Sequence, residues 1–422
     1  MKNALHTPFA KATFTAIVLI FLGLGWITVR KGIEQKGFQA ESETPAHEAP
    51  QNVTYSKEGD SEGGDLLSNI LPGEAWRGGI NPALRNGLED LVLSFRNASD
   101  QAERLSLYRE LLLLIQDNRD AGAAETVAAF LRSGTDAETG LPFVLGFDGS
   151  LTTTTSVRVA LIDQLGIIDL ELAIKLSREL MDGKSTADEY TVALRNLAWS
   201  DFDGSTRDEV ERRFSAMLDQ TDWLANPSGG FLEAFDVAVE LSSPRAFDDL
   251  ASVLLLEDEQ GSPVANGVSD AAFLAMDRIM LREAGMVATQ YLSKPDQLDF
   301  APNHRASLLS RLSLNNPAER DAFRAYLNAS NHGEGELDYF GELYPNGNFF
   351  HGNRIVTTQE DTPSLVEMRK SDQAALQEIE HMIESGEVAG PTVERIRERL
   401  LVFVEEAMNN PLSPEDPSLR IE

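Results

Sequence analysis

From Asn81 onward the apolar residues of this 422-residue chain recur at intervals of three and four, and strict alternation is almost absent. That period lines apolar side chains along one stripe of an α-helix, whereas a half-buried strand would alternate them. Leu105, Tyr108, Leu112 and Ile115 form one predicted stripe; Leu165, Ile168, Leu172 and Leu176 form another. Val210, Phe214, Met217 and Leu218 continue the pattern, as do Phe247, Leu250, Ala251 and Leu254. Helix starts are marked too. Asn81-Pro82, Ser243-Pro244, Asn316-Pro317 and Thr362-Pro363 each set a capping side chain before a proline at the first helical position. The predicted fold class is all-α, and a hydrophobic content of 42% suffices for a large core.

The stretch MDGKSTADEY (Met181–Tyr190) contains Gly-Lys-Ser-Thr, the last four letters of a nucleotide-binding P-loop. A P-loop needs a glycine five residues before its second glycine, where this chain has Arg178, and it must follow a hydrophobic strand. Here Ile168 to Met181 reads as an amphipathic helix, with Gly183 as a carboxy-terminal cap able to take positive φ. Thr186 then caps the next helix, and Glu189 completes a capping box. The stretch predicts a helix–turn–helix joint, with no nucleotide or other cofactor.

Helix pairs are expected to begin near Thr155, Thr186, Ser228, Asn266 and Asn303, at intervals of 31, 42, 38 and 37 residues. Three first helices share a cation between apolar neighbours: ALRNLAW (Arg195), AMDRIML (Arg278) and LLSRLSL (Arg311). In period and helix pairing, residues 84–345 resemble HEAT or armadillo repeats. The resemblance implies an α-solenoid of stacked helix pairs with one long partner-binding surface, and no particular activity.

Two interruptions break the body. TGLPFVLGFDGSLTTTT (Thr139–Thr155) has Asp148-Gly149 between short β-prone runs and is expected to form a small hairpin. YPNGNFFHGNRIVTT (Tyr344–Thr358) has Asn346-Gly347 and two phenylalanines in a similar setting. Both read as covers packed on helix ends, or as carriers of partner-facing rings. Phe143, Phe147, Tyr344, Phe349 and Phe350 are therefore the candidate partner-binding residues. The expected organisation is a tail at 1–11, a transmembrane anchor at 12–29, an acidic tether at 30–80 and a solenoid at 81–345. An irregular aromatic loop at 346–362 and a helical hairpin with tail at 363–422 complete it. In that hairpin Leu365, Met368, Leu376, Ile379 and Ile383 face Val393, Ile396, Leu400, Phe403 and Ala407, either closing the last repeat or supporting self-association.

The anchor is expected at Ala12–Val29, 18 residues without a charge, about 27 Å long as a helix. Trp26 lies near its end, Arg30 and Lys31 stop it, and no small-x-small cleavage site follows closely. Residues 1–36 carry Lys2, Lys11, Arg30, Lys31 and Lys36 against Glu34, a net of +4; with a total of −32, the remainder therefore holds −36. So acidic a body repels nucleic acid and anionic lipid headgroups. The positive-inside balance is nearly even and, counted strictly, slightly favours a cytoplasmic body. The short tail of a bacterial-type signal anchor, together with the absence of cysteine, favours an extracytoplasmic, periplasmic body.

Lack of cysteine excludes disulfides, thiolate metal sites and cysteine nucleophiles, and the six histidines stand at no metal-ligand spacing. GDSEG (Gly59–Gly63) matches a nucleophile elbow but lies in the tether. DFDGSTRDEVER (Asp201–Arg212) starts like a calcium loop, yet Thr206 stands where glycine belongs and Arg212 where glutamate belongs; Ser205 reads as a helix cap. No catalytic, cofactor or metal residue is assigned. The expected function is a membrane-anchored scaffold for protein–protein interaction. The alternative is an α/α-toroid-like hydrolase or lyase acting on polysaccharide.

Overall fold

The computed structural model describes residues 79–146, 148–201, 204–256, 266–283, 285–294, 298, 302–310, 312, 314, 316–333, 335–338, 354–357 and 365–409. Three helices open this body: α1 (Pro82–Asn97), α2 (Gln101–Asp117) and α3 (Ala123–Arg132). An antiparallel hairpin follows, β1 (Val144–Leu145) with β2 (Leu151–Thr153), pairing Val144 with Thr153 and Leu145 with Leu151. Next come α4 (Val157–Ile168), α5 (Leu170–Asp182), α6 (Ala187–Trp199) and α7 (Arg207–Leu218). Short helices α8 (Thr221–Ala225), α9 (Gly229–Glu233) and α10 (Asp236–Leu241) lead to α11 (Pro244–Leu254). Beyond them lie α12 (Asn266–Arg282), α13 (Met286–Ser293), α14 (Pro302–Leu309), α15 (Pro317–Leu327) and the 3₁₀ turn η1 (Glu336–Asp338). A hairpin of α16 (Leu365–Ser385) and α17 (Pro391–Asn409) ends the described chain.

Helices pack on near neighbours in chain order. In one row α4 touches α6, α6 touches α9 and α10, these touch α12, and α12 touches α14. In a second row α7 touches α11, α11 touches α13 and α13 touches α15. Rungs such as α4–α5, α6–α7, α11–α12 and α14–α15 join the rows. The protein is thus predominantly helical, with the small two-stranded sheet, and its packing is compatible with a helical repeat. The reason lies in burial: Phe247, Leu250, Ala251 and Leu254 are all buried on α11, and a helix carrying such a stripe excludes water from it only by stacking on another helix.

The caps anticipated at Asn81, Ser243 and Asn316 form, each side chain accepting a first-turn N–H ahead of a proline. Thr186 and Glu189 form the capping box. Several expectations are corrected. No helix runs unbroken from Ile168 to Met181: Asp169 ends α4 and caps α5, its carboxylate accepting the Leu172 N–H at 3.0 Å. One residue therefore makes the joint, and the apolar period runs straight through it. Gly183 is the carboxy-terminal cap of α5, as anticipated, although its backbone is extended at φ −97°. On α2 the buried line is Tyr108, Leu111 and Ile115, with Leu112 only half-buried. Before α7 the cap position is Thr206 rather than Ser205, and its N–H and hydroxyl both donate to Asp201.

The expected anchor, the tether up to residue 78, Thr362 and Arg311 lie outside the described residues. Among the described residues no helix is long and apolar enough to cross a membrane.

Candidate functional site

Charged residues embedded in apolar helices build the most distinctive chemistry of the body. Asp163 lies in VALIDQLG of α4 and Arg195 in VALRNLAW of α6; both side chains are fully buried, 2.6 Å apart. A buried carboxylate without a partner costs several kcal/mol, so the pair is held by further hydrogen bonds. Arg195 donates to the Gly149 carbonyl at 2.9 Å, and Asp163 accepts the Leu151 N–H at 3.1 Å. The Arg195 guanidinium lies 4.0 Å over the Trp199 ring. Burial pulls this guanidinium below its ordinary value, with the Asp163 charge opposing. Together the two charges grip the backbone of the β1–β2 turn.

The same device recurs further along the row. Asp236 of α10 and Arg278 of α12 pair at 2.6 Å, with Asp236 fully buried. Asp236 Oδ2 accepts the Val356 and Thr357 N–H groups, each at 2.7 Å, and Oδ1 accepts the Thr357 hydroxyl at 2.5 Å. Arg278 also donates to that hydroxyl. Some 120 residues separate Asp236 from Val356 in the chain. A third pair joins Arg305 of α14 to Glu336 of η1 through two bonds of 2.8 and 2.6 Å. There the carboxylate accepts the Gly333 N–H at 2.6 Å, and the guanidinium donates to the Asn331 carbonyl at 3.1 Å. Each pair holds a stretch of non-helical backbone against the helices.

Two of the gripped stretches touch. Gly149 adopts φ +75°, and a Cβ there would sit 2.7 Å from the Ile355 carbonyl oxygen and 3.3 Å from the Trp199 ring. Glycine is required twice over, by the left-handed backbone and by the contact. The hairpin tip and the Arg354–Thr357 segment thus meet across α6, beside α9, α10 and α12. Glu233, at the end of α9, borders this seam and accepts the Arg354 N–H at 3.3 Å. Its carboxyl is pushed up to about 7, chiefly by burial and further by Asp236. A carboxyl near 7 is a familiar profile for a general acid. Here burial is the main cause, and Glu233 accepts the Arg354 N–H in that buried setting.

Of the aromatic candidates, Phe143 is half-buried just before β1, with its ring edge on the α9 backbone: a Cβ on Gly230 would lie 2.9 Å from it. Phe147, Tyr344, Phe349 and Phe350 lie outside the described residues. Asp188 of α6, which sequence reading passed over, ties the start of its helix to the chain ahead of α4 and to the start of α9. Its carboxylate accepts the Thr155 hydroxyl, the Ser228 hydroxyl and the Gly230 N–H. Asp163, Glu233, Asp236 and Thr357 were passed over as well. For Asp236 a signal existed, a lone carboxylate between Phe235 and Val237, and for Asp163 a weaker one, a carboxylate after the apolar run Val159–Ile162; for Thr357 none did. Among the described residues no group of three or more metal-type ligands could hold an ion.

No family model and no curated protein matches the chain. One solved structure, described as "Computational Design of Self-Assembling Cyclic Protein Homooligomers", is 12% identical over 78% of this chain and 94% of its own, with a TM-score of 0.13. So low a score carries no argument about fold or function.

Proposed function

We propose that this protein is a membrane-anchored α-solenoid of HEAT-like helix pairs whose body lies outside the cytoplasm and binds a protein partner. The observation that carries the reading is the neighbour-to-neighbour stacking of the helices, together with two non-helical insertions brought side by side at Gly149 and Ile355. Helix stacks present extended surfaces, and insertions converging on one row concentrate irregular backbone where a partner can be read. The uncharged Ala12–Val29 stretch and the absence of cysteine support the anchor and the compartment. Tyr344, Phe349 and Phe350, ten residues or fewer from Arg354, remain the aromatic anchors we expect the partner to meet. The polysaccharide-enzyme alternative calls for the last helix pair to close on the first around an acidic pit; contacts between near neighbours lend it no support.

The test is photo-cross-linking of the full chain in its native membrane. A cross-linker at Val144, which is 42% exposed on β1, should capture a discrete protein, whereas one at Leu292 on the far end of α13 should not. Capture from neither position, or equal capture from both, would remove the proposed surface. Protease added outside the cytoplasmic membrane should digest the body of the anchored chain; complete protection would place it in the cytoplasm.

A further inference from the structure

We propose that the α16–α17 hairpin is a proton-operated gate: its end remote from the turn stays closed while Asp372 carries a proton and separates when that proton is lost.

The geometry sets a carboxyl where the seam calls for an apolar side chain. The α16 stripe runs back from the turn through Ile383, Ile379 and Leu376, and the next place in that spacing is Asp372. Asp372 is 2% exposed, and its Oδ1 is buried without a hydrogen-bond partner. Glu380 of α16 meets Arg397 of α17 at 3.5 Å, which fixes the level of the two antiparallel helices. Asp372 precedes Glu380 by as many places as Glu405 follows Arg397. Glu405 itself is exposed, and the neighbouring α17 residues packed on the core are Phe403 and Val404. Asp163, Asp236 and Glu336 each take an arginine and a backbone N–H; Asp372 takes neither among the described residues. Such a seam accepts a neutral acid and rejects a carboxylate.

The hairpin is also fastened unevenly. Near the turn Val388, Val393 and Ile396 are buried, and the Glu387 N–H donates to the Met382 carbonyl at 2.9 Å. Glu387 pairs there with Arg324 of α15 at 2.7 Å. Beyond Leu400, Phe403 and Val404 are only half-buried, while Val402 and Met408 are exposed. Separation from that end gives up little apolar burial and lets Asp372 reach water.

The packed elements bring several charges towards this level. Arg369 and Lys370 precede Asp372 on α16, and α17 carries Glu405, with Arg399 over the Phe403 ring. Glu319 and Arg320 open α15, Arg320 meeting Glu378 at 3.3 Å, and Glu336 of η1 is bound to Arg305. Burial alone governs the Asp372 carboxyl, raising it from 3.8 to about 8. The closed hairpin therefore keeps a proton that the open one releases. Closure is most favoured below 3.8, weakens about tenfold per pH unit above it, and levels off past about 8.

The chain has no cysteine, so pairs of nitroxide labels can be set on the full chain without background. Gln373→Cys with Val402→Cys, both at exposed sites, spans the remote end; Glu384→Cys with Glu394→Cys, also exposed, spans the hairpin beside the turn. Between about pH 5 and about pH 9, electron–electron distances of the first pair should show a longer population that grows at least about tenfold. The second pair should not move, and adding Asp372→Asn should hold the first pair short at both values. An unchanged first pair, or equal movement of both pairs, would overturn the gate. Opening that persists with Asp372→Asn would assign it to another group and sink the proposal equally. If that variant fails to fold, a carbon-13 carboxyl titration of the aspartate-labelled full chain decides. One resonance should titrate near 8, and carboxyls that all titrate in the ordinary range leave no gate.

Discussion

Thr186 Oγ1 accepts the Glu189 N–H at 3.2 Å, and the Glu189 carboxylate accepts the Thr186 N–H at 2.9 Å. These two bonds satisfy two of the donors that the start of α6 leaves open. Thr186→Ala should lower unfolding free energy by about 1 kcal/mol in urea titration. Lys184→Ala should change nothing, since Lys184 is exposed in the turn, and calorimetry should detect no saturable ATP binding to either chain. ATP binding lost with Lys184 would restore the P-loop reading. Glu233 offers a test with a sign. Its carboxyl rises from 4.5 to about 7, so between those values the folded chain holds a proton that the unfolded chain releases. Stability from this group is therefore complete below 4.5 and lost as pH rises through about 7. Glu233→Gln is neutral throughout. It should match the wild type at low pH and exceed it by on the order of 2–3 kcal/mol above about pH 8, in denaturation curves taken across the range.

At the scale of elements, the pairs of buried charge decide which helices and insertions meet. Arg195→Met leaves Asp163 charged in an apolar interior, and should destabilise by about 3–5 kcal/mol. Lys175→Ala breaks a surface pair with Glu171 and should leave the melting curve unmoved. A comparable loss from both would deny the α4–α6 pair its special place. The hairpin can be tested against its neighbour with two glycines. Gly134 and Gly149 have nearly the same backbone, φ +74° and +75°, but only Gly149 faces other atoms where a Cβ would go. Alanine at either should cost about 1 kcal/mol of left-handed strain. Only at Gly149 should the cost be larger, with faster hydrogen exchange at Val356 and Thr357. Equal losses at the two sites would mean that the hairpin tip yields freely.

Across the described body the helices bury their apolar stripes on near neighbours in chain order, a packing compatible with a helical repeat. The two apolar clusters reflect this: one extends from Leu84 to Val192, the other from Met181 to Leu400, and they overlap in sequence at α5 and α6. A chain lacking residues 1–70 should remain monodisperse, with a helical circular-dichroism spectrum and a sharp thermal transition. Aggregation of that chain would show that the body depends on the segment before it. If the proposed anchor is retained, mass spectrometry of the mature protein should recover peptides from residues 1–36; a chain beginning after Lys36 would replace the proposed anchor with a cleaved leader.

Helix identity, most helix starts and the hairpin were legible in the sequence because their causes are local. A side chain capping its own helix, a proline at a first turn and a Gly at Gly149 act within a few residues, and the period of three and four reports burial without naming what covers it. The break at Asp169 was masked because the apolar stripe keeps its spacing across the joint. The cations Arg195 and Arg278 were visible as charges among apolar neighbours, but their partners Asp163 and Asp236 were not assigned, since dozens of carboxylates compete on paper. Sequence reading also treated the two insertions as separate covers. Only the tertiary structure brings Gly149 to Ile355 and Asp236 to Thr357, because that choice depends on how α6, α10 and α12 stack. A buried carboxylate must take whatever donors the stacking delivers, and nothing in the local sequence of Arg354–Thr357 announces that it is the donor delivered.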